Sequence, residues 1–140
     1  MRARFAAMLA VAGLITMSCG GIVDPSQNKI DTFSGAFAPG GFSAGFPFTA
    51  SNGGELTVKV TQLSPNSSTF FGVLWTQAAG DGTCGSPSVG GALLQNNFAQ
   101  LNVASISGSQ IVSGKYCIFM FDSAGGLSAT ETFTATVSHP

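Results

Sequence analysis

The sequence predicts an all-β fold, an antiparallel β-sandwich of seven or eight short strands, and three observations support this prediction. Apolar and polar residues alternate with a period of two in several stretches, which is typical of strands buried on one face. Sequences rich in Gly, Pro, Asn and Ser separate these stretches, as expected of turns. After the first 18 residues, no stretch has the 3.6-residue period of an amphipathic helix.

Residues 1–18 have the pattern of an export signal. Two arginines precede an apolar run, 5–17, that is too short to span a bilayer. Small residues flank Cys19, and this ending resembles the lipobox of bacterial lipoproteins, in which the cysteine is acylated and becomes the mature N-terminus. The resemblance implies a lipid anchor at Cys19 and, because no aspartate follows the cysteine, an outer-membrane location. Ordinary cleavage near Cys19 is the alternative, and it would give a soluble secreted protein.

Residues 19–29 are predicted to be a polar tether, and 30–140 the sandwich domain. Two strands are expected to have one buried face, GELTVKVTQL (54–63) and ATETFTATVSH (129–139). Two others, STFFGVLWTQ (68–77) and KYCIFMFDS (115–123), are apolar on both faces, which favours central positions or a covering loop. Shorter candidates are IDTFSGAF, FPFTA and FAQLNVASI, and turns are predicted at 38–41, 51–54, 63–68, 105–110 and 122–126.

The three cysteines are Cys19, Cys84 and Cys117. If Cys19 carries lipid, the other two can form a disulfide in an oxidising compartment, and none is left over. Two buried free thiols are the alternative. A metal site is not expected, because no second cysteine or histidine lies near either position in the sequence.

The stretch from 113 to 140 resembles the end of bacterial pre-peptidase C-terminal domains, which close with a Gly-x-Tyr strand, a glycine-rich loop and a Phe/Tyr-Thr-x-x-Val strand. Upstream, FPFTASNGGELTVKVTQL is similar to another passage of that family, so the resemblance covers most of 31–138. It implies a jelly-roll-like sandwich of accessory, non-catalytic character. Where the family often has an Asp-x-Asp pair that can serve calcium, this chain has 66–69, NSST. The matching residues are Phe48, Thr49, Gly53, Gly54, Leu56, Thr57, Val58, Gly114, Tyr116, Phe133, Thr134 and Val137.

Charge and histidine content exclude several function classes. After residue 18 the chain has no arginine and three lysines, so no nucleic-acid partner is expected. The one histidine, His139, is next to the last residue and is expected to be solvated, so a Ser-His-Asp or Cys-His site cannot be built on it. We therefore expect no enzyme activity, no metal and no cofactor.

Two loops hold the remaining candidate binding residues. Asp81 and Asp122 each begin a glycine-containing loop; turn chemistry is the favoured interpretation, and a shared, weak calcium site is the alternative. Phe42 and Phe46 lie with Phe37 around APGGFSAGF. They are expected either to cap the core or to form an exposed patch for a glycan, a protein or a lipid surface.

These observations predict a lipid-anchored, non-catalytic protein of the bacterial cell envelope, with a role in surface structure, adhesion or weak ligand binding. Its expected partner is the membrane, through the N-terminal lipid. The alternative is a carbohydrate- or calcium-binding accessory module of a secreted system.

Overall fold

The computed structural model describes residues 24–87 and 91–140. The predicted leader, Cys19 and the tether up to residue 23 lie outside the described residues. A 3-10 turn, Pro25–Gln27, precedes eight strands. These are β1 (Lys29–Phe37), β2 (Phe46–Ala50), β3 (Gly54–Ser64), β4 (Phe71–Gln77), β5 (Ala92–Ala99), β6 (Ala104–Ile111), β7 (Gly114–Phe121) and β8 (Glu131–His139).

The strands form two antiparallel four-stranded sheets that pack face to face, in the orders β1-β8-β3-β6 and β2-β7-β4-β5. Every connection between consecutive strands crosses from one sheet to the other, except the connection from β4 to β5. This strand order is that of an eight-stranded jelly roll, so the predicted sandwich is confirmed.

The main core lies between the two sheets, and it is built from alternate residues as the sequence predicts. Six inward-facing apolar residues of β3 and β8 are at most 3% exposed, whereas most of their neighbours on the outer face are partly exposed. Aromatic rings from the end of β1, the start of β4 and the start of β8 meet within this core. The inward-facing residues are Leu56, Val58 and Val60 in β3, and Phe133, Ala135 and Val137 in β8.

A second, smaller apolar cluster lies on the outer face of the β2-β7-β4-β5 sheet. It contains Leu74 from β4 and Cys117, Phe119 and Phe121 from β7, which accounts for the apolar pattern on both faces of these central strands. Residues 78–87, here called the disulfide loop, fold back over part of this face. Ala78 and Cys84 pack against the cluster, and Cys84 forms a disulfide with Cys117, with a Cα–Cα distance of 5.8 Å.

Two predictions for the segment 98–110 are wrong. The expected strand 98–106 is interrupted: residues 98–99 end β5, residues 104–106 begin β6, and the turn 100–103 lies between them, where Asn102 has a φ of 63°. The expected turn 105–110 lies within β6, and Gly108, with a φ of 64°, forms a bulge opposite β3. Glycine accommodates the positive φ of a bulge without breaking the strand, so a sequence typical of a turn remains paired.

The two ends of the sandwich carry different segments. The connections 38–45, 65–70, 100–103 and 122–130 meet at one end, here called the loop end. The start of β1 and the end of β8 meet at the opposite end, here called the terminal end, because Lys29 pairs with His139. Asn28 donates from Nδ2 to the backbone carbonyl of Glu55 and to Oγ of Ser138, which holds the incoming chain at the terminal end.

Replacing both Cys84 and Cys117 with alanine is expected to lower the free energy of unfolding by about 3–4 kcal/mol. The bond joins residues 33 positions apart and so restricts the conformations of the unfolded chain. Without the bond, the conformational entropy of the unfolded state is higher, and unfolding is more favourable. Urea denaturation of the two proteins measures the difference. Dithiothreitol should destabilise the wild type by a similar amount and leave the double variant unchanged. Alkylation of both thiols in native protein without a reductant would contradict the pairing.

Candidate functional site

Asp122 organises the loop end. It follows the last residue of β7 and is only 9% exposed. Its Oδ2 accepts hydrogen bonds from the backbone N–H of Gly40 (2.9 Å) and Leu127 (3.3 Å), and its Oδ1 accepts from Gly126 N–H (3.3 Å). Burial acts to raise the pKa of this carboxyl, but the backbone donors outweigh it and the pKa is lowered. One carboxylate thus fastens the connection 38–45 to the connection 122–130.

Asp81 lies at the other end of the same sheet. Because β4 and β7 are antiparallel, the residue that follows β4 and the residue that follows β7 are at opposite ends. Asp81 therefore shares no site with Asp122. Its Oδ1 accepts from the backbone N–H (2.9 Å) and Oγ1 (2.7 Å) of Thr83, and these bonds lower its pKa. Within residues 24–87 and 91–140, no group of three or more His, Cys, Asp or Glu could hold a metal ion.

The three phenylalanines around APGGFSAGF do not form one exposed patch. Phe37 is 1% exposed and packs against Phe71 and Phe133 in the main core. Phe46 is half-buried, with its ring edge-on to Phe133 at 5.6 Å. Phe42 alone is well exposed, and its ring stacks on Phe121 at a centroid distance of 4.9 Å. Two of the three residues therefore close the core, and one lies on the outer face.

Phe42 belongs to a different group of aromatic residues. Phe121 lies flat across Gly72, where a Cβ atom would overlap the ring. Phe70 immediately precedes β4 and is 48% exposed, whereas Phe71 is buried. If the alternation of β4 extends one residue back, Phe70 lies on the outer face with Phe121. Phe98 joins it for the same reason, since its neighbour Ala99 is in the main core. We call Phe42, Phe70, Phe98 and Phe121 the aromatic patch.

A bulge in β5 sets the position of Phe98. Phe71 pairs with Ala99 and Val73 pairs with Asn96, so Asn97 and Phe98 both lie opposite Gly72. Asn96 fixes the bulge, because its Oδ1 accepts from Phe98 N–H (2.8 Å) and its Nδ2 donates to the Ser105 carbonyl (2.7 Å). The sequence does not reveal this site, because it predicts a strand that begins at Phe98, whereas Phe98 lies near the end of β5, and it predicts that Phe70 is part of the strand 68–77, whereas β4 begins at Phe71.

His139 is not solvated, contrary to the sequence-based expectation. It is 1% exposed, its ring packs against Phe48 at 5.0 Å, and its Nε2 lies 3.0 Å from Oδ2 of Asp31. Lys29 Nζ lies 2.7 Å from the other oxygen of Asp31. The prediction failed because β8 continues through residue 139 and pairs along its whole length with β1. Burial acts to raise the pKa of Asp31, but the bonds from Lys29 and His139 lower it overall.

No protein-family model matches this chain, and a search of curated proteins gives no match. Among the described residues, no helix is both long enough and apolar enough to cross a lipid bilayer.

The Asp122→Ala substitution is expected to lower the free energy of unfolding by about 2 kcal/mol, because three backbone N–H groups lose their acceptor. Asp81→Ala is the matched control. It removes the same side chain from another loop, where the carboxylate bonds only its own turn, and should cost much less. Urea denaturation compares the two variants. Equal losses would show that Asp122 does not fasten the loops.

Acid should remove the stabilisation that Asp31 provides. Its pKa is lower in the folded protein than in the unfolded chain, so its contribution is present above about pH 4 and is lost as pH falls through the folded-state value. The stability difference between the wild type and Asp31→Asn should therefore shrink between about pH 5 and about pH 2. Denaturation at a series of pH values measures this. A difference independent of pH in that range would contradict the assignment.

Proposed function

We propose that this chain is an exported bacterial protein, fastened to the cell envelope by lipid on Cys19, whose sandwich is a non-catalytic domain for adhesion or ligand binding at the surface. The observation that carries the proposal is the disulfide between Cys84 and Cys117. Disulfides of this structural kind persist in oxidising compartments and are rare in the cytosol, so the bond supports export. Because the chain has three cysteines, the pairing leaves Cys19 for other chemistry.

The leader supports the same proposal. Its two arginines, short apolar run and small residues beside Cys19 have the order of a lipoprotein signal. A single acyl chain holds a protein to a membrane only marginally, whereas two or more hold it stably, so the lipidated cysteine can serve as the anchor without a transmembrane helix. Gly20 in place of an aspartate favours the outer membrane.

The architecture supports a display role. The chain enters the sandwich at the terminal end, whereas the aromatic patch lies towards the loop end. The strands β1, β5, β7 and β8 run between the two ends of the sandwich and have eight or nine residues each. Strands of this length are about 27–30 Å long. A domain anchored through Cys19 therefore presents the patch away from its own membrane.

The positions of the ionisable groups support a non-catalytic role. The carboxylate of Asp122 accepts hydrogen bonds from three backbone N–H groups, and the side chains of Asp31 and His139 are hydrogen-bonded to each other. Glu131, 2% exposed, accepts from the backbone N–H of Asn66 at 3.1 and 3.2 Å. Each of these groups fixes a loop or a chain end. The resemblance to pre-peptidase C-terminal domains, and the jelly-roll strand order expected from it, also favour an accessory domain.

Metabolic labelling with a fatty-acid analogue tests the anchor. The wild type expressed in a bacterial host should incorporate the label and fractionate with membranes, and Cys19→Ala should do neither. Ser18→Ala is the matched control; it changes the neighbouring residue to another small one and should leave labelling intact. An unlabelled, water-soluble wild type with a free thiol at Cys19 would refute the proposal.

A further inference from the structure

We propose that the aromatic patch, together with the exposed side chains of Gln95 and Asn97, binds a neutral polysaccharide. This deepens the proposed function by naming a ligand class, and it rests on that function only for the direction in which the patch faces.

Three of the four phenylalanine side chains of the aromatic patch are exposed to solvent. Phe42 is 49% exposed, Phe70 48% and Phe98 78%. The disulfide loop and the strands bury Leu74, Cys117 and Phe119 of this sheet face to between 1% and 4%, and Phe42 covers Phe121, which is 8% exposed. The fold thus covers one part of the face and leaves the aromatic part open. Contiguous exposed apolar surface on a soluble domain commonly marks a binding site.

Phe121 and Phe98 lie on β7 and β5, on either side of Gly72 in β4. Gly72 lets the Phe121 ring lie against the sheet, and Phe42 stacks on Phe121 at an interplanar angle of 27°. Phe121 pairs with Gly72, and Gly72 lies opposite the bulge that carries Phe98. Neighbouring strands are about 4.8 Å apart, close to the length of one pyranose ring. The apolar C–H face of a sugar can therefore rest on successive rings.

Gln95 and Asn97 supply polar groups beside the rings. Gln95 pairs with Leu74, a residue of the outer cluster, so it lies on the same face as the patch. Gln95 Nε2 donates to Asn97 Oδ1 at 2.6 Å. This bond uses one donor and one acceptor, and so leaves the Asn97 amide as a donor and the Gln95 carbonyl as an acceptor. Sugar hydroxyls require both kinds of partner.

The charges around the patch favour a neutral polymer over an acidic one. Lys115 lies at the terminal end of β7, where its Nζ donates to the Gly80 carbonyl. Lys29 is paired with Asp31, and Lys59 lies in the other sheet. Asp122, the carboxylate nearest to Phe121 in sequence, is occupied by backbone donors. Among residues 24–87 and 91–140, no lysine or arginine therefore lies beside the patch to pair with uronate, sulfate or phosphate groups.

Binding by the full chain tests the proposal. The protein is purified in a zwitterionic detergent, because sugar-based detergents would compete, and is titrated with neutral oligosaccharides of hexoses and N-acetylhexosamines. Co-sedimentation with insoluble cellulose and chitin covers longer polymers. Phe98→Ala and Phe42→Ala should each weaken binding about tenfold, which corresponds to the loss of one buried aromatic contact. Both rings are exposed, so thermal unfolding should change little.

Val112→Ala is the matched control, since Val112 is 70% exposed at the terminal end and should not affect binding. Neutral-glycan binding that both patch variants weaken would support the proposal. It would be overturned by an absence of binding, by binding that the patch variants leave unchanged, or by equal binding of uronic-acid polymers. Binding only to phospholipid vesicles, or a dimer that Phe98→Ala dissociates, would assign the patch to another partner. None of these outcomes depends on whether Cys19 carries lipid.

Discussion

The structure depends on two central strands, β4 and β7, that are apolar on both faces. Both faces of these strands must therefore be shielded from water. The opposite sheet covers their inner face and forms the main core. On the outer face, where an antiparallel sheet commonly meets water, the disulfide loop takes the place of a third layer. The loop packs against the sheet through few residues, so its apolar contact area is small. The covalent bond from Cys84 to the buried Cys117 holds the loop in place where this contact alone would be weak.

That cover is incomplete, and it leaves part of the same sheet face exposed towards the loop end. Under the disulfide loop, Leu74 and Phe119 are structural. Towards the loop end, the exposed ring of Phe42 stacks on Phe121, which is 8% exposed. Asp122 connects the two loops beside them, so the position of Phe42 depends on a carboxylate that is itself buried and held by backbone donors. Asp122 is thus a positioning residue for the patch.

Much of the fold could be predicted because period-two alternation is a local signal. It identified β3 and β8, and the two-sided apolar pattern identified β4 and β7. The signal failed in β5 and β6, where bulges opposite β4 and β3 shift the alternation and Gly108 has the appearance of a turn residue. The composition of β5, ALLQNNFA, also lacks the β-branched residues that favour a strand.

The candidate site was less predictable, because it depends on strand direction and register. Asp81 and Asp122 have similar sequence surroundings, and only the antiparallel pairing of β4 and β7 places them at opposite ends. His139 appeared free because of its position in the chain, yet its strand pairs with β1 and its ring contacts Phe48. Gly72, Phe98 and Phe121 come from three strands, and no spacing along the sequence brings them together.

The pairing of β1 with β8 determines how the domain responds to mechanical load. The two strands pair over nine positions, from Lys29 with His139 to Phe37 with Glu131. A pull on the N-terminal segment, opposed by a ligand held towards the loop end, acts along β1. The hydrogen bonds of an antiparallel ladder run perpendicular to its strands, so this force shears all of them together and does not peel them apart one by one. The same edge strand that receives the chain is therefore oriented to resist tension.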